Sequence, residues 1–170
     1  MNAEDLRALQ APLKDQYRTD PHQAQVTLRS HGSLDGEGIA CSVATSRALI
    51  EAGLHPATGG SGMQACSGDM LLDALVACAG VTVKAVATAL GVTLRGGTVT
   101  AEGDLDFRGT LGVAKEAPVG FTAIRLRFTL DSDEPAERIA TVLKLTERYC
   151  VVFQTLAKPP RLELMVKRHD

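Results

Sequence analysis

The chain has 170 residues and a mass of 17.9 kDa, with 45% hydrophobic and 22% charged residues, enough to bury one core and too apolar for a disordered chain. A formal net charge of −2 and a sequence pI near 6.1 argue against a nucleic-acid partner, which usually demands a basic face.

Residues 1–21 read as a short helical arm. Leu6, Leu9 and Leu13 recur at helical spacing, and Pro12 is expected to break the run. The opening "MNAEDLRALQ" has neither the basic start nor the apolar run of a secretory leader, so the expected compartment is the cytoplasm. From Gln25 the pattern changes to period two. Val26 and Leu28 share a face in "VTLRS", and Ile39, Cys41 and Val43 share one in "IACSV". Between them "HGSLDGEG" has the composition of a turn. Cys41, on the apolar face of a strand, reads as a core residue.

"HPATGGSGMQ" is a Gly-rich loop without the spacing of a phosphate-binding loop. It leads into "SGDMLLDALVACAGVTVKAVATAL", which reads as a helix of roughly 35 Å from Gly68 to Leu90, with Ser67 as its N-cap, Asp69 at the positive end of its dipole and Gly91 as its stop. Asp73 and Lys84 leave a longest charge-free run of Ala74 to Val83. That is well short of the about 20 residues of a membrane span, so a buried helix and no membrane partner are expected. A helix apolar nearly all round needs cover on every side. One small sheet and one amphipathic helix would not supply it, so a second chain is expected.

Strands return with Val99, Ala101, Leu105 and Phe107 on one side of "TVTAEGDLDF", and with Ile124, Leu126, Phe128 and Leu130 on one side of "FTAIRLRFTL". The intervening "RGTLGVAKEAPVG" reads as a loop. Ser132 or Asp133 is expected to cap a second helix, with Pro135 in its first turn and Ala136, Ile139, Ala140, Leu143 and Glu147 along its stripe to Tyr149 and Cys150. "RLELMVK" reads as a closing strand with Leu162, Leu164 and Val166 inward. Strands, long helix, strands, helix and strand make an α+β fold, with no repeat or linker to split residues 22–170.

Four cysteines remain to be placed: Cys41, Cys66, Cys78 and Cys150. A reducing cytoplasm argues against a disulfide framework, no CxxC pair is present, and His22, His31, His55 and His169 do not cluster at metal-ligand spacing. No metal is expected. The thiols are then either small buried hydrophobes or reactive groups. Cys66, just ahead of the long helix, reads as a packed loop residue. More than two helical turns, roughly 15 Å, separate it from Cys78, beyond the about 7 Å a disulfide can span.

The block "SGDMLLDALVACAGVTVKAVATAL", together with "TERYCVVFQTL", resembles the OsmC/Ohr family from about residue 24 onward. The family's first motif runs from a Gly-rich loop through an acidic helix start and an Ala/Leu-rich turn to a cysteine. Its second is a helix ending in a cysteine, often followed by Pro-Val. The resemblance implies a two-layer OsmC-like fold, with a long buried central helix and antiparallel sheets, assembled as an intertwined homodimer. It also implies a cofactor-free thiol peroxidase acting on organic hydroperoxides and regenerated by a dithiol reductant. By position, Cys78 matches the cysteine that attacks the peroxide, and Cys150 the one that resolves the sulfenic acid as a disulfide.

A thiol must ionise to attack. Cys78 lies some three turns inside its helix, beyond the reach of that helix's dipole, and apolar burial alone would raise its pKa. A cation from elsewhere is therefore expected. In the family it is an arginine oriented by a glutamate. Here Gly68 occupies the glutamate's place, so Asp69 is expected to orient the arginine, which is Arg47 in preference to Arg29. Val151 follows Cys150 where proline is usual. Two other readings accompany the enzyme: Gly68 and Phe153 fit a non-catalytic module holding a small apolar ligand, and the thiols fit a redox sensor.

Overall fold

The fold was analysed in a computed structural model, which describes residues 2–20, 31–33, 40–44, 49–112 and 114–168. The strand expected around Val26 and Leu28, and Arg29, Ile39, Arg47 and His169, lie outside the described residues.

Helix α1 (Ala3–Thr19) opens with a reciprocal cap, in which the Asp5 N–H donates to Asn2 Oδ1 (2.8 Å) and the Asn2 N–H to Asp5 Oδ2 (3.1 Å). The helix runs through Pro12, where a break was expected. Proline removes one N–H from the ladder. The turns on either side, and packing of α1 against the long helix, keep the rest.

Strands β1 (His31–Ser33), β2 (Ala40–Ala44), β3 (Leu49–Gly53) and β4 (Ala65–Cys66) form one sheet in chain order. β1, β2 and β3 are antiparallel neighbours, and β4 adds parallel to β3 by pairing Gly53 with Cys66. Two expectations change here: His31–Ser33 is a strand where a turn was read, and β3 was not read at all. Pairing with β2 decides both, and local composition cannot reveal it. The Gly-rich loop contains a 3-10 turn at Pro56–Thr58, fixed by the Ala57 N–H donating to His55 Nδ1 (3.0 Å).

Helix α2 (Ser67–Leu90) begins one residue earlier than expected, with Cys66 rather than Ser67 at its N-cap and no side-chain cap bond. Pairing with β3 holds Cys66 extended, so the helix starts where the strand ends. Gly91 closes it with φ +62, a left-handed conformation that suits glycine. Arg138 secures the same end by donating to the carbonyls of Leu90 (3.0 Å) and Gly91 (3.3 Å). By length and composition alone α2 could cross a membrane. In the fold its Leu75–Ala79–Val83–Ala87 stripe, spaced by four, forms the spine of the core.

Strands β5 (Gly96–Asp104) and β6 (Ala123–Asp131) pair antiparallel from Gly96↔Asp131 to Asp104↔Ala123. Ile124, Leu126, Phe128 and Leu130 turn toward α2 as expected, while Arg125 and Arg127 face outward and pair with Glu102 and Asp104. Phe107, read as strand, instead opens helix α3 (Phe107–Thr110), because the Asp106 carboxylate accepts the Arg108 N–H and turns the chain.

Helices α4 (Ala136–Tyr149) and α5 (Val151–Ala157) complete the layer. Neither Ser132 nor Asp133 caps α4. Pro135 holds the N-cap position, and the Ser132 hydroxyl instead donates to the Thr93 carbonyl (2.6 Å). The inward stripe of α4 is Ile139, Val142, Leu143 and Thr146, whereas Ala136, Ala140 and Glu147 are exposed. One apolar cluster gathers Val83, Ala87, Val92 and Val142, and the next gathers Leu75, Ala79 and Cys150. Residues 161–168 form no strand within the chain. Leu162 and Leu164 are 88% and 94% exposed, and among the described residues no strand runs beside them.

Candidate active site

The site forms where α2 meets the joint between α4 and α5. Cys150 terminates one helix and precedes the other with φ −71 and ψ 107, an extended residue between two helical runs. Its N–H still donates to the Thr146 carbonyl (2.9 Å), and its own carbonyl accepts from the Gln154 N–H (2.9 Å), so the bend costs few backbone bonds. The bend redirects α5 and brings the free N–H groups of its first turn to Cys78.

Cys78 is half-buried on α2 and packs in the same cluster as Leu75, Ala79 and Cys150. Burial pushes its thiol up. Hydrogen bonds from the Val152 N–H, the Cys150 thiol, the Val151 N–H and the Thr82 hydroxyl more than offset this and hold it below its ordinary value. Cys150 is 1% exposed and moves the other way. Burial pushes it up, and donating to Cys78, together with the charge there, pushes it further. N–H groups of Phe153 and Val152 only partly counter this. The two sulfurs are therefore shifted in opposite directions, Cys78 toward the thiolate and Cys150 toward the thiol.

The two cysteines matched to the family's pair are thus together, and neither is in a disulfide. Asp69 is not with them. It stands roughly 13 Å before Cys78 along α2, beside a second cavity of about 370 Å³ that also touches His55, Cys66, Asp104 and Phe121. Among the described residues the groups acting on Cys78 are N–H, S–H and O–H donors and no charged side chain. Arg47 and the side chain of Cys41 lie outside the described residues. Among the described residues no cluster of His, Cys, Asp and Glu could hold a metal ion.

Sequence reasoning missed Val151, Val152 and Thr82. Thr82, one turn after Cys78, had a readable signal, because residues at i and i+4 share a helix face. The two N–H groups had none, because their direction depends on the bend at Cys150. A cavity of about 440 Å³ lies against the other side of Cys150, lined by Ala79, Leu126, Phe128, Leu143 and Phe153, with Lys144 and Glu147 also in its wall.

Comparison with known proteins agrees with this architecture. Residues 60–165 match the family described as OsmC-like protein. Among solved structures, an OsmC-like protein from Mycoplasma pneumoniae is similar with a TM-score of 0.65 at 17% identity, over 79% of this chain and 90% of that one. An organic hydroperoxide resistance protein OsmC from Legionella pneumophila gives 0.60 at 13%, over 78% and 90%. A putative organic hydroperoxide resistance protein from Vibrio cholerae, with captopril bound in one of its active sites, gives 0.56 at 17%, over 79% and 88%. No curated protein matches the chain. With a two-layer α+β fold, a matching cysteine pair and the family pattern over residues 60–165, this chain belongs to the OsmC-like proteins.

Proposed function

We propose that the protein is a cysteine-based peroxidase that reduces organic hydroperoxides. The observation that carries the reading is the packing of a half-exposed Cys78 against a buried Cys150, with the first thiol held below its ordinary value and the second above. The Cys78 thiolate attacks the outer oxygen of ROOH, the O–O bond breaks, and the alkoxide leaves and takes up a proton as ROH. Cys78 becomes a sulfenic acid. The Cys150 sulfur then attacks Cys78, an S–S bond forms, and the hydroxyl leaves as water with the Cys150 proton. A dithiol reductant closes the cycle by exchanging its two thiols for the disulfide, which returns Cys78 and Cys150 as thiols. The chemistry suits a reducing compartment such as the cytoplasm.

The working assembly in this reading is a homodimer. Val81 on the outer face of α2 is 71% exposed, and Leu162, Leu164, Met165 and Val166 are exposed, both features that a second copy would cover. Sedimentation at micromolar concentration tests this, with a dimer expected and a stable monomer contradicting it. Catalysis is tested by consumption of tert-butyl hydroperoxide with dithiothreitol as reductant. Steady turnover faster than with hydrogen peroxide is expected, and no consumption of either would overturn the reading.

The apolar cavity beside Cys150 favours one second reading, a module that binds a small apolar ligand without turnover. The Vibrio cholerae relative holds a small organic molecule in one of its active sites, in keeping with that alternative. An apolar molecule copurifying with a protein inert toward hydroperoxide would select it.

A further inference from the structure

Four described threonines bond back along their helices to the carbonyl four residues earlier: Thr82 to Cys78 (2.7 Å), Thr88 to Lys84 (2.8 Å), Thr141 to Glu137 (2.9 Å) and Thr146 to Val142 (2.8 Å). This is a common local habit with little structural consequence. Thr82 differs from the others because the residue it reaches carries a sulfur on the same helix face. Its single hydroxyl proton lies on the Cys78 carbonyl, and the Cys78 sulfur stands one turn back on the same face as a second acceptor.

We propose that Thr82 is a catalytic hydrogen-bond donor whose hydroxyl moves from the Cys78 carbonyl to the Cys78 sulfur when the thiolate forms. The exchange costs little, because the Cys78 carbonyl also accepts the Thr82 N–H of the helix ladder and stays satisfied when the hydroxyl leaves. The gain is larger, because a hydrogen bond to a charged acceptor is roughly twice as strong as a neutral one. Once Cys78 is oxidised its sulfur is neutral and the hydroxyl returns to the carbonyl. No atom is exchanged with solvent in either direction. Among the described residues the donors acting on the sulfur are uncharged, the N–H groups of Val152 and Val151, the Cys150 thiol and, as the smallest contribution, the Thr82 hydroxyl.

The inference rests on the peroxidase reading for its purpose, but its test does not need peroxide. Modification of Cys78 by iodoacetamide is followed by mass spectrometry across pH 6 to 9 in the full chain and in Thr82→Val, Thr82→Ser and Thr88→Val. Thr82→Val keeps the side-chain shape and loses the donor. It should react roughly two- to fivefold more slowly at neutral pH, with its titration midpoint moved upward. Thr82→Ser should follow the parent profile, and so should Thr88→Val, which loses only a local helix bond. Thr82→Ala serves in the same role if the valine variant fails to fold. A Thr82→Val profile that superimposes on the parent, or a serine variant as slow as the valine one, would overturn the proposal. If the profile shifts as expected in a protein that never consumes hydroperoxide, only the peroxidase reading falls.

Discussion

The middle of α2 and the joint between α4 and α5 each hold one cysteine at the same contact, and they treat it in opposite ways. On α2, Cys78 is half-exposed in the middle of a continuous helix, where the backbone N–H groups are spent on the helix ladder. Its stabilisation comes from outside its own backbone, from the N–H groups of Val151 and Val152, the Cys150 thiol and a hydroxyl one turn on. At the joint, Cys150 is fully covered, sits between two helices and donates to Cys78. The difference teaches that reactivity here follows from which sulfur receives hydrogen bonds and which gives one. Depth of burial then decides which of them meets a peroxide.

The largest effect on this comparison should come from removing the receiving sulfur. Cys78→Ser should reduce hydroperoxide turnover to background, because a serine hydroxyl neither ionises near neutral pH nor accepts the peroxide oxygen. Peroxide consumption at saturating reductant checks it. Next is Cys150→Ser, which should consume about one equivalent and then stall as a sulfenic acid prone to overoxidation. Dimedone labelling of Cys78 followed by intact mass reads that state directly. Normal steady turnover in this variant would place the resolving thiol elsewhere.

The asymmetry also sets a pH order. Cys78 is lowered in the fold, so its thiolate fraction, and with it alkylation, should persist on the acid side of an ordinary thiol and fall only as pH drops through the lowered value. Cys150 is raised, so it should stay protonated and unlabelled until pH climbs above the ordinary range. Competitive labelling at pH 7 should therefore mark Cys78 far ahead of Cys150. A milder test is Val151→Pro. The site tolerates proline, because Val151 opens α5, its side chain is 69% exposed, and Cys150 before it is already extended. The change removes one N–H donor, so alkylation of Cys78 should slow roughly two- to tenfold while the helical circular-dichroism signal is retained.

Much of this was legible in the sequence where a pattern is local. The period of "SGDMLLDALVACAGVTVKAVATAL" and its Gly91 stop placed α2 to within a residue, and the alternation of Ile124, Leu126, Phe128 and Leu130 placed β6. Patterns that depend on a partner were not legible. β3 has little amphipathic signature, and "RLELMVK" alternates like a strand yet has no neighbouring strand among the described residues. At the site, residue identity pointed to Cys78 and Cys150, while charge-based reasoning pointed to Asp69 and an arginine. Backbone donors carry no identity in a sequence, since any residue after Cys150 except proline would present the same N–H. Their direction follows from one backbone angle at Cys150, which no spacing rule reveals.

One measurement bears most directly on the roles given to the two sulfurs. The reduced protein is treated with one equivalent of tert-butyl hydroperoxide, free thiols are blocked at low pH, and peptides are mapped by mass without reduction. A single disulfide joining Cys78 to Cys150 is expected, with Cys66 recovered as a blocked free thiol. A disulfide containing Cys66, or oxidation that bypasses Cys78, would contradict the assignment.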